Sequence, residues 1–239
     1  MSELQRVWTD VMGTQEPPAA EWVIVAGVLA LAMVMITPVW RVTRHVVTIA
    51  HEGGHAAAAL LSGRRLAGIR LHSDSSGVTV SRGRPRGPGM VFTALSGYIA
   101  PSLVGLLAAV LLYQRHALAV LWVSLLLLTL MLLQIRNFRG LYSMLVAGFA
   151  VFAVSWWAPP QVQSVAAYLV TCFLLLAGPV TVWELQRARR RSRERGSDAD
   201  QLARLTHLPA LLWVGFFLLV DVGALLLGGY LIWSPVPPP

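Results

Sequence analysis

Residues 49 to 61, IAHEGGHAAAALL, set two histidines and a glutamate in a run that is otherwise apolar or small. A helix turns roughly 100° per residue, so His51 and His55 project from one face about one turn apart. Two imidazoles at that spacing can share one metal ion. Glu52, next to the first histidine, can then reach a water on the metal without taking a coordination position. In this HExxH arrangement zinc lowers the pKa of its water toward about 7, and the glutamate takes the proton during attack on a carbonyl. A five-residue pattern with three fixed positions is a weak signal in a soluble sequence, and here its surroundings strengthen it. Ionisable groups inside a bilayer cost at least about 2.5 kcal/mol each on insertion scales, so three together need a compensating partner, and a divalent cation compensates all three. The alternative is a polar contact between helices, or a merely interfacial segment. Gly53 and Gly54 favour a site, because each costs a helix roughly 1 kcal/mol relative to alanine. What they permit is close approach by a neighbouring helix or a substrate backbone.

The rest of the chain must hold these residues in place. Its 239 residues are 56% hydrophobic and only 13% charged, too apolar for a soluble domain, where charge is about a quarter of the residues. Apolar runs of the roughly 20 residues needed to cross a bilayer lie near 22–40, 91–113, 117–135, 140–158, 162–183 and 209–233. A shorter one, near 45–62, holds the motif. The expected fold is an all-α polytopic membrane protein: about six full transmembrane helices, a short embedded HExxH helix and a small cytoplasmic β-hairpin. Residues 1–21 form an extracytoplasmic segment, and 22–239 a single transmembrane domain. The N-terminus lacks the cationic start of a signal peptide, so the first run is expected to stay as an anchor. The lone Cys172 excludes an intrachain disulfide and a cysteine metal cluster, and is read as packing.

All 19 basic side chains are arginine, and their placement carries topology. If all seven segments crossed fully, the clusters at 41–44, 63–90, 136–139 and 187–208 would fall on opposite faces, against the tendency of short basic loops to stay cytoplasmic. A segment 45–62 that enters and returns to the same side places them all in the cytoplasm, and opens the motif toward it. In the 63–90 loop, IRLHS, a turn-like DSSG and VTVSR predict a hairpin. The stretch RARRRSRER (187–195) is juxtamembrane and lacks interleaved aromatics, so anionic lipids are its expected contact, and nucleic acid is not.

The stretches VVTIAHEGGHAAAALLSGRRLAGIRLHSDSSGVTVSRG and ALSGYIAPSLVG resemble the site-2 protease family of intramembrane zinc metallopeptidases, specifically its bacterial site-2-protease-like branch, over roughly residues 40–140. The resemblance implies a membrane-embedded HExxH helix, a β-rich element after it and a small-residue helix packed beside it. It makes His51 and His55 zinc ligands, Glu52 the general base, and one Zn2+ the cofactor of each chain. Typical members take a third ligand from an asparagine-proline…aspartate-glycine motif, which is missing here. Asp221, in FFLLVDVGALL, is the only other acid deep inside an apolar run, and is either that ligand or a helix-packing hydrogen bond. Asn137, in LQIRNFRGLY, either binds a substrate strand or the oxyanion, or caps a helix. Asp74 reads as a turn former, Asp198 and Asp200 as caps of the helix QLARL. His45, His72, His116 and His207 lack partner spacing and read as interfacial or loop residues.

The function so implied is an intramembrane zinc metalloprotease of the bacterial cytoplasmic membrane, acting on a transmembrane helix or its juxtamembrane end. The hairpin and the glycine-rich 83–89 segment would gate water and substrate. The absent aspartate motif leaves a catalytically silent homologue that binds membrane partners as the alternative. A cation transporter is a third reading, against which no inverted repeat is evident.

Overall fold

A computed structural model of the chain describes residues 3–72, 74–191 and 196–234. Helix α1 (Glu3–Met12) precedes α2 (Ala20–Met35) and α3 (Thr37–Leu61). The chain bends by 100° between α2 and α3. Pro38 causes the break: it has no amide to bond back to the carbonyl of Val34, but is harmless in the first turn of a new helix. The boundary therefore falls at Ile36, earlier than expected, and Arg41, Arg44 and the motif share one continuous helix of 25 residues.

The predicted hairpin follows as β1 (Arg65–Leu71) and β2 (Gly77–Arg82), antiparallel, with a register shift between Leu66 and Gly68. Asp74 makes its turn by accepting hydrogen bonds from the amide (3.0 Å) and the hydroxyl (2.7 Å) of Ser76. Then come α4 (Pro88–Tyr113), α5 (Ala117–Leu132), α6 (Phe138–Trp157), α7 (Pro160–Arg191), α8 (Asp198–Thr206) and α9 (Ala210–Trp233). Five of the six apolar runs thus fall on single helices, and the first, 22–40, is divided between α2 and α3. Four, α4, α6, α7 and α9, are long and apolar enough to cross a membrane, and the bent α2–α3 pair can supply a fifth span. α5 has 16 residues and falls short of that length. Residues 192–195 of the arginine-rich stretch lie outside the described residues.

Large apolar side chains stand exposed along α6 (Phe138, Leu145, Phe149) and α9 (Leu219, Leu226, Tyr230). Continuous apolar faces of this extent are stable against lipid and not against water. Small residues occupy the closest contacts between helices. α3 and α4 lie so close that a methyl group at Gly54 would sit 2.7 Å from the Ser96 carbonyl oxygen and overlap Ala100. Gly105 packs on Leu175 and Ser102 on Gly178, which makes α4 and α7 antiparallel. Tyr98 stacks on Phe217, and Ala109 shares a cluster with Ala224, which makes α4 and α9 parallel. The hairpin and α8 consequently share one end of the bundle.

Asn137 stands at the N-cap of α6 but makes no side-chain cap. Its amide instead donates to the carbonyl of Leu71 (2.7 Å), and its oxygen accepts from the amide of Leu71 (3.2 Å). With Ile69 bonded to Gln134 and Arg136, residues 134–137 lie against the edge of β1. Among the loop histidines, His116 meets the Gly13 carbonyl at 3.1 Å, and His207 ends α8 in a left-handed conformation.

Gly54→Val inserts three carbons where a single one already overlaps Ala100. The variant is expected to lose about 3 kcal/mol or more, and a thermal melt in detergent that superimposes on wild type refutes this packing.

Candidate metal centre

The face of α3 that carries His51 and His55 meets α4 at Gly97. A methyl there would lie 2.8 Å from the His51 ring carbon Cε1 and overlap His55 Nε2, so only glycine lets both rings occupy this space. Their Nε2 atoms are 3.1 Å apart. His55 is buried, and its Nδ1 lies 2.7 Å from the Thr93 carbonyl. A carbonyl only accepts, so Nδ1 carries a hydrogen, and Nε2 is the ring nitrogen turned toward His51 and Asp198. The ring of Tyr98 stands edge-on to His51, with centroids 4.7 Å apart, and stacks on Phe217 of α9 at 5.3 Å.

The carboxylate brought to these imidazoles is that of Asp198, not Asp221. Its Oδ2 lies 3.3 Å from His51 Nε2 and 3.2 Å from His55 Nε2. Asp221 is instead on α9 beside Ser102 and Gly178. The cap assignment of Asp198 is likewise corrected: Ser197 caps α8, and Asp200 completes its capping box. The Ser197 hydroxyl accepts from the Asp200 amide (3.3 Å) and donates to Asp200 Oδ2 (2.6 Å). Arg189, in the last turn of α7, grips Asp200 Oδ1 through Nε (3.2 Å) and Nη2 (2.8 Å). This double fastening sets the start of α8 over the two histidines. Burial opposes ionisation of Asp198, but the neighbouring His55 and His51 more than offset it and hold the carboxyl below the ordinary range.

His51, His55 and Asp198 each offer one ligand atom, all within 4.8 Å of one another. Corners of a tetrahedron with bonds of about 2.0 Å are separated by about 3.3 Å, against the 3.1, 3.3 and 3.2 Å found here. The donor set and its spacing therefore fit zinc. Glu52 is 3% exposed. Thr79 of β2 donates a 2.6 Å hydrogen bond to its Oε2, and a side chain at Gly77 would collide with the carboxylate. The hairpin is laid along α3, its tip fastened where the Thr48 hydroxyl donates to the Ser75 carbonyl (2.8 Å). The Trp40 indole donates to Glu184 (2.8 Å), and Arg44 pairs with the same carboxylate at 3.6 Å, tying α3 to α7.

Asp198, Thr79 and Tyr98 were missed in the sequence. The Ser-x-x-Asp capping signal at 197–200 placed a helix start at the same end as the motif, and so marked the acids that such a start would present.

Apolar helices, a small sheet and a His-His-carboxylate group capable of holding a metal define a helical membrane protein with a candidate metal centre. A family model described as Peptidase M50B-like matches residues 24–228, and the chain belongs to that family, a site-2 protease family of membrane metallopeptidases. No curated protein and no solved structure matches the chain.

Purified protein is expected to bind about one zinc per chain, with His51→Ala, His55→Ala and Asp198→Ala each losing it and Asp221→Asn retaining it. Elemental analysis of the folded variants decides: zinc kept by Asp198→Ala removes Asp198 from the ligand set.

Proposed function

We propose that the chain is an intramembrane zinc metalloprotease that hydrolyses peptide bonds of membrane-spanning or juxtamembrane substrates. The triangle of His51, His55 and Asp198 beside the buried Glu52 carries the proposal. These three residues would hold one Zn2+, which supplies Lewis-acid activation of water and of the scissile carbonyl. Glu52 accepts a proton from the attacking water at a carboxylate oxygen and returns it to the amine nitrogen of the departing segment. Thr79 fixes the rotamer of that carboxylate, leaving one oxygen free for the proton. The Nδ1–H bond from His55 to Thr93 fixes the first imidazole, and the Tyr98 ring walls the second. The apolar surround keeps bulk water away, so each charge interaction inside is stronger than at a surface.

A substrate has to reach this centre in extended form, because a helical backbone shields its carbonyls. Hence the proposed substrates are helices that unwind easily, or their ends at the membrane surface. The basic hairpin and the arginines that end α7 lie at the end of the bundle where the centre sits. By the preference of short basic loops this end is cytoplasmic, in a bacterial cytoplasmic membrane, with anionic lipid headgroups as the partners of those arginines.

Glu52→Gln is expected to keep the zinc and lower cleavage on the order of 10²–10⁴-fold. The readout is the set of new protein termini in membranes holding wild type but not the variant. Zinc-loaded wild type producing no Glu52-dependent terminus would establish the silent homologue instead. Thr79→Val is expected to slow the same cleavage about tenfold at unchanged zinc content, the worth of one hydrogen bond to a charged group, and Thr79→Ser to restore it; equal rates in all three dismiss a positioning role for Thr79.

A further inference from the structure

Asp221 is fully buried, with 0% of its surface exposed, and neither carboxylate oxygen has a hydrogen-bond partner among the described residues. Ser102 Oγ, equally buried, is also unpartnered. Both face Gly178, where a methyl group would lie 3.1 Å from Asp221 Cγ and overlap the Ser102 hydroxyl. Helices α4 and α9 thus bring polar oxygens to one point of an apolar seam, against Gly178 of α7. Two prolines add to this. Pro101 and Pro179 lack amides, so the carbonyls of Gly97 on α4 and Leu175 on α7 have no helical donor.

Among the described residues, no charged side chain offsets an ionised Asp221. On α4 the seam presents Ser102 and, one turn away, Tyr98, which is stacked on Phe217. On α7 it presents Gly178, while Glu184 is engaged by Trp40 and Arg44. On α8, Asp198 lies against the histidines and Asp200 against Arg189. A lone carboxylate in such a medium is costly enough that it takes up a positive charge. A single carboxylate matches a single charge.

We propose that Asp221 and Ser102 form a site for one monovalent cation, a proton or a sodium ion, separate from the metal centre. With a proton, the carboxylic O–H donates to Ser102 Oγ. With sodium, the carboxylate and hydroxyl oxygens are ligands. Either occupant joins α9 to α4 one turn from Phe217 and Tyr98, the stacked pair that abuts His51.

The test is thermal unfolding of the full-length protein in detergent, at fixed metal content, from mildly acidic to mildly alkaline pH. Sodium chloride is compared with N-methylglucamine chloride at equal ionic strength, and the difference between wild type and Asp221→Asn is read. A carboxyl that is protonated in the folded chain and ionised in the unfolded one contributes stability that is lost as rising pH removes the native proton. Proton occupancy therefore predicts that the wild-type midpoint falls with rising pH in both salts, by about 3–5 °C for each tenfold difference in proton affinity between folded and unfolded chains. Sodium occupancy predicts that sodium alone restores the midpoint at alkaline pH. Asp221→Asn responds to neither, and Ser102→Ala weakens the response. An infrared carboxylic-acid band in wild type, removed by alkali or by sodium, makes the same distinction if Asp221→Asn does not fold. A wild type that shows no such band and no sodium effect, or that tracks a folded Asp221→Asn throughout, overturns the proposal.

Discussion

Two imidazole nitrogens and a carboxylate oxygen, 3.1 to 3.3 Å from one another inside an apolar bundle, set the terms for everything packed around them. Polar donors in that environment are stable only when mutually satisfied, and mutual satisfaction at this distance tolerates little displacement. Helix α4 must therefore pass within contact distance of α3, which selects glycine at positions 54 and 97. The capping box and the Arg189–Asp200 pair serve the same end, since they hold the first turn of α8, with Asp198, against His51 and His55.

The hairpin answers a different need. The hydroxyl of Thr79 orients the buried Glu52 carboxylate without the charge that a cationic side chain would bring. Its strands gain rigidity from both sides: β2 lies on α3 through Thr79 and the Ser75 turn, and β1 is closed at its edge by residues 134–137. The amide of Asn137 takes both hydrogen-bonding groups of Leu71, and so belongs to the scaffold of the sheet. Strand geometry is thus imposed on a segment that is too short to be stable alone.

Much of this was legible beforehand because it follows from strong local signals. The i, i+4 spacing of the histidines, the alternation of the hairpin and the length of the apolar runs after the first are local signals that tertiary packing does not override. Asp198 was not legible for a physical reason. Hydropathy points to acids inside apolar runs as the third donor, whereas the structure supplies one from a polar helix of nine residues. Asp221 met the first criterion and lies elsewhere, because helix phase and not hydropathy decides which helix face meets the histidines. The break at Ile36 was written in Pro38, but the apolar run passes through it unchanged, and hydropathy does not register a missing amide.

The three donors come from residues 51, 55 and 198 of a 239-residue chain, and α9 packs against α8 and α4 only afterwards. During synthesis the two histidines enter the membrane long before their carboxylate exists. Until α8 has emerged, the nascent chain has two of the three donors and no Arg189–Asp200 fastening, so its hold on a metal is weak. The order of translation therefore completes the candidate centre late: a donor set split between the first quarter and the last fifth of a chain comes together only after most of its helices have been made.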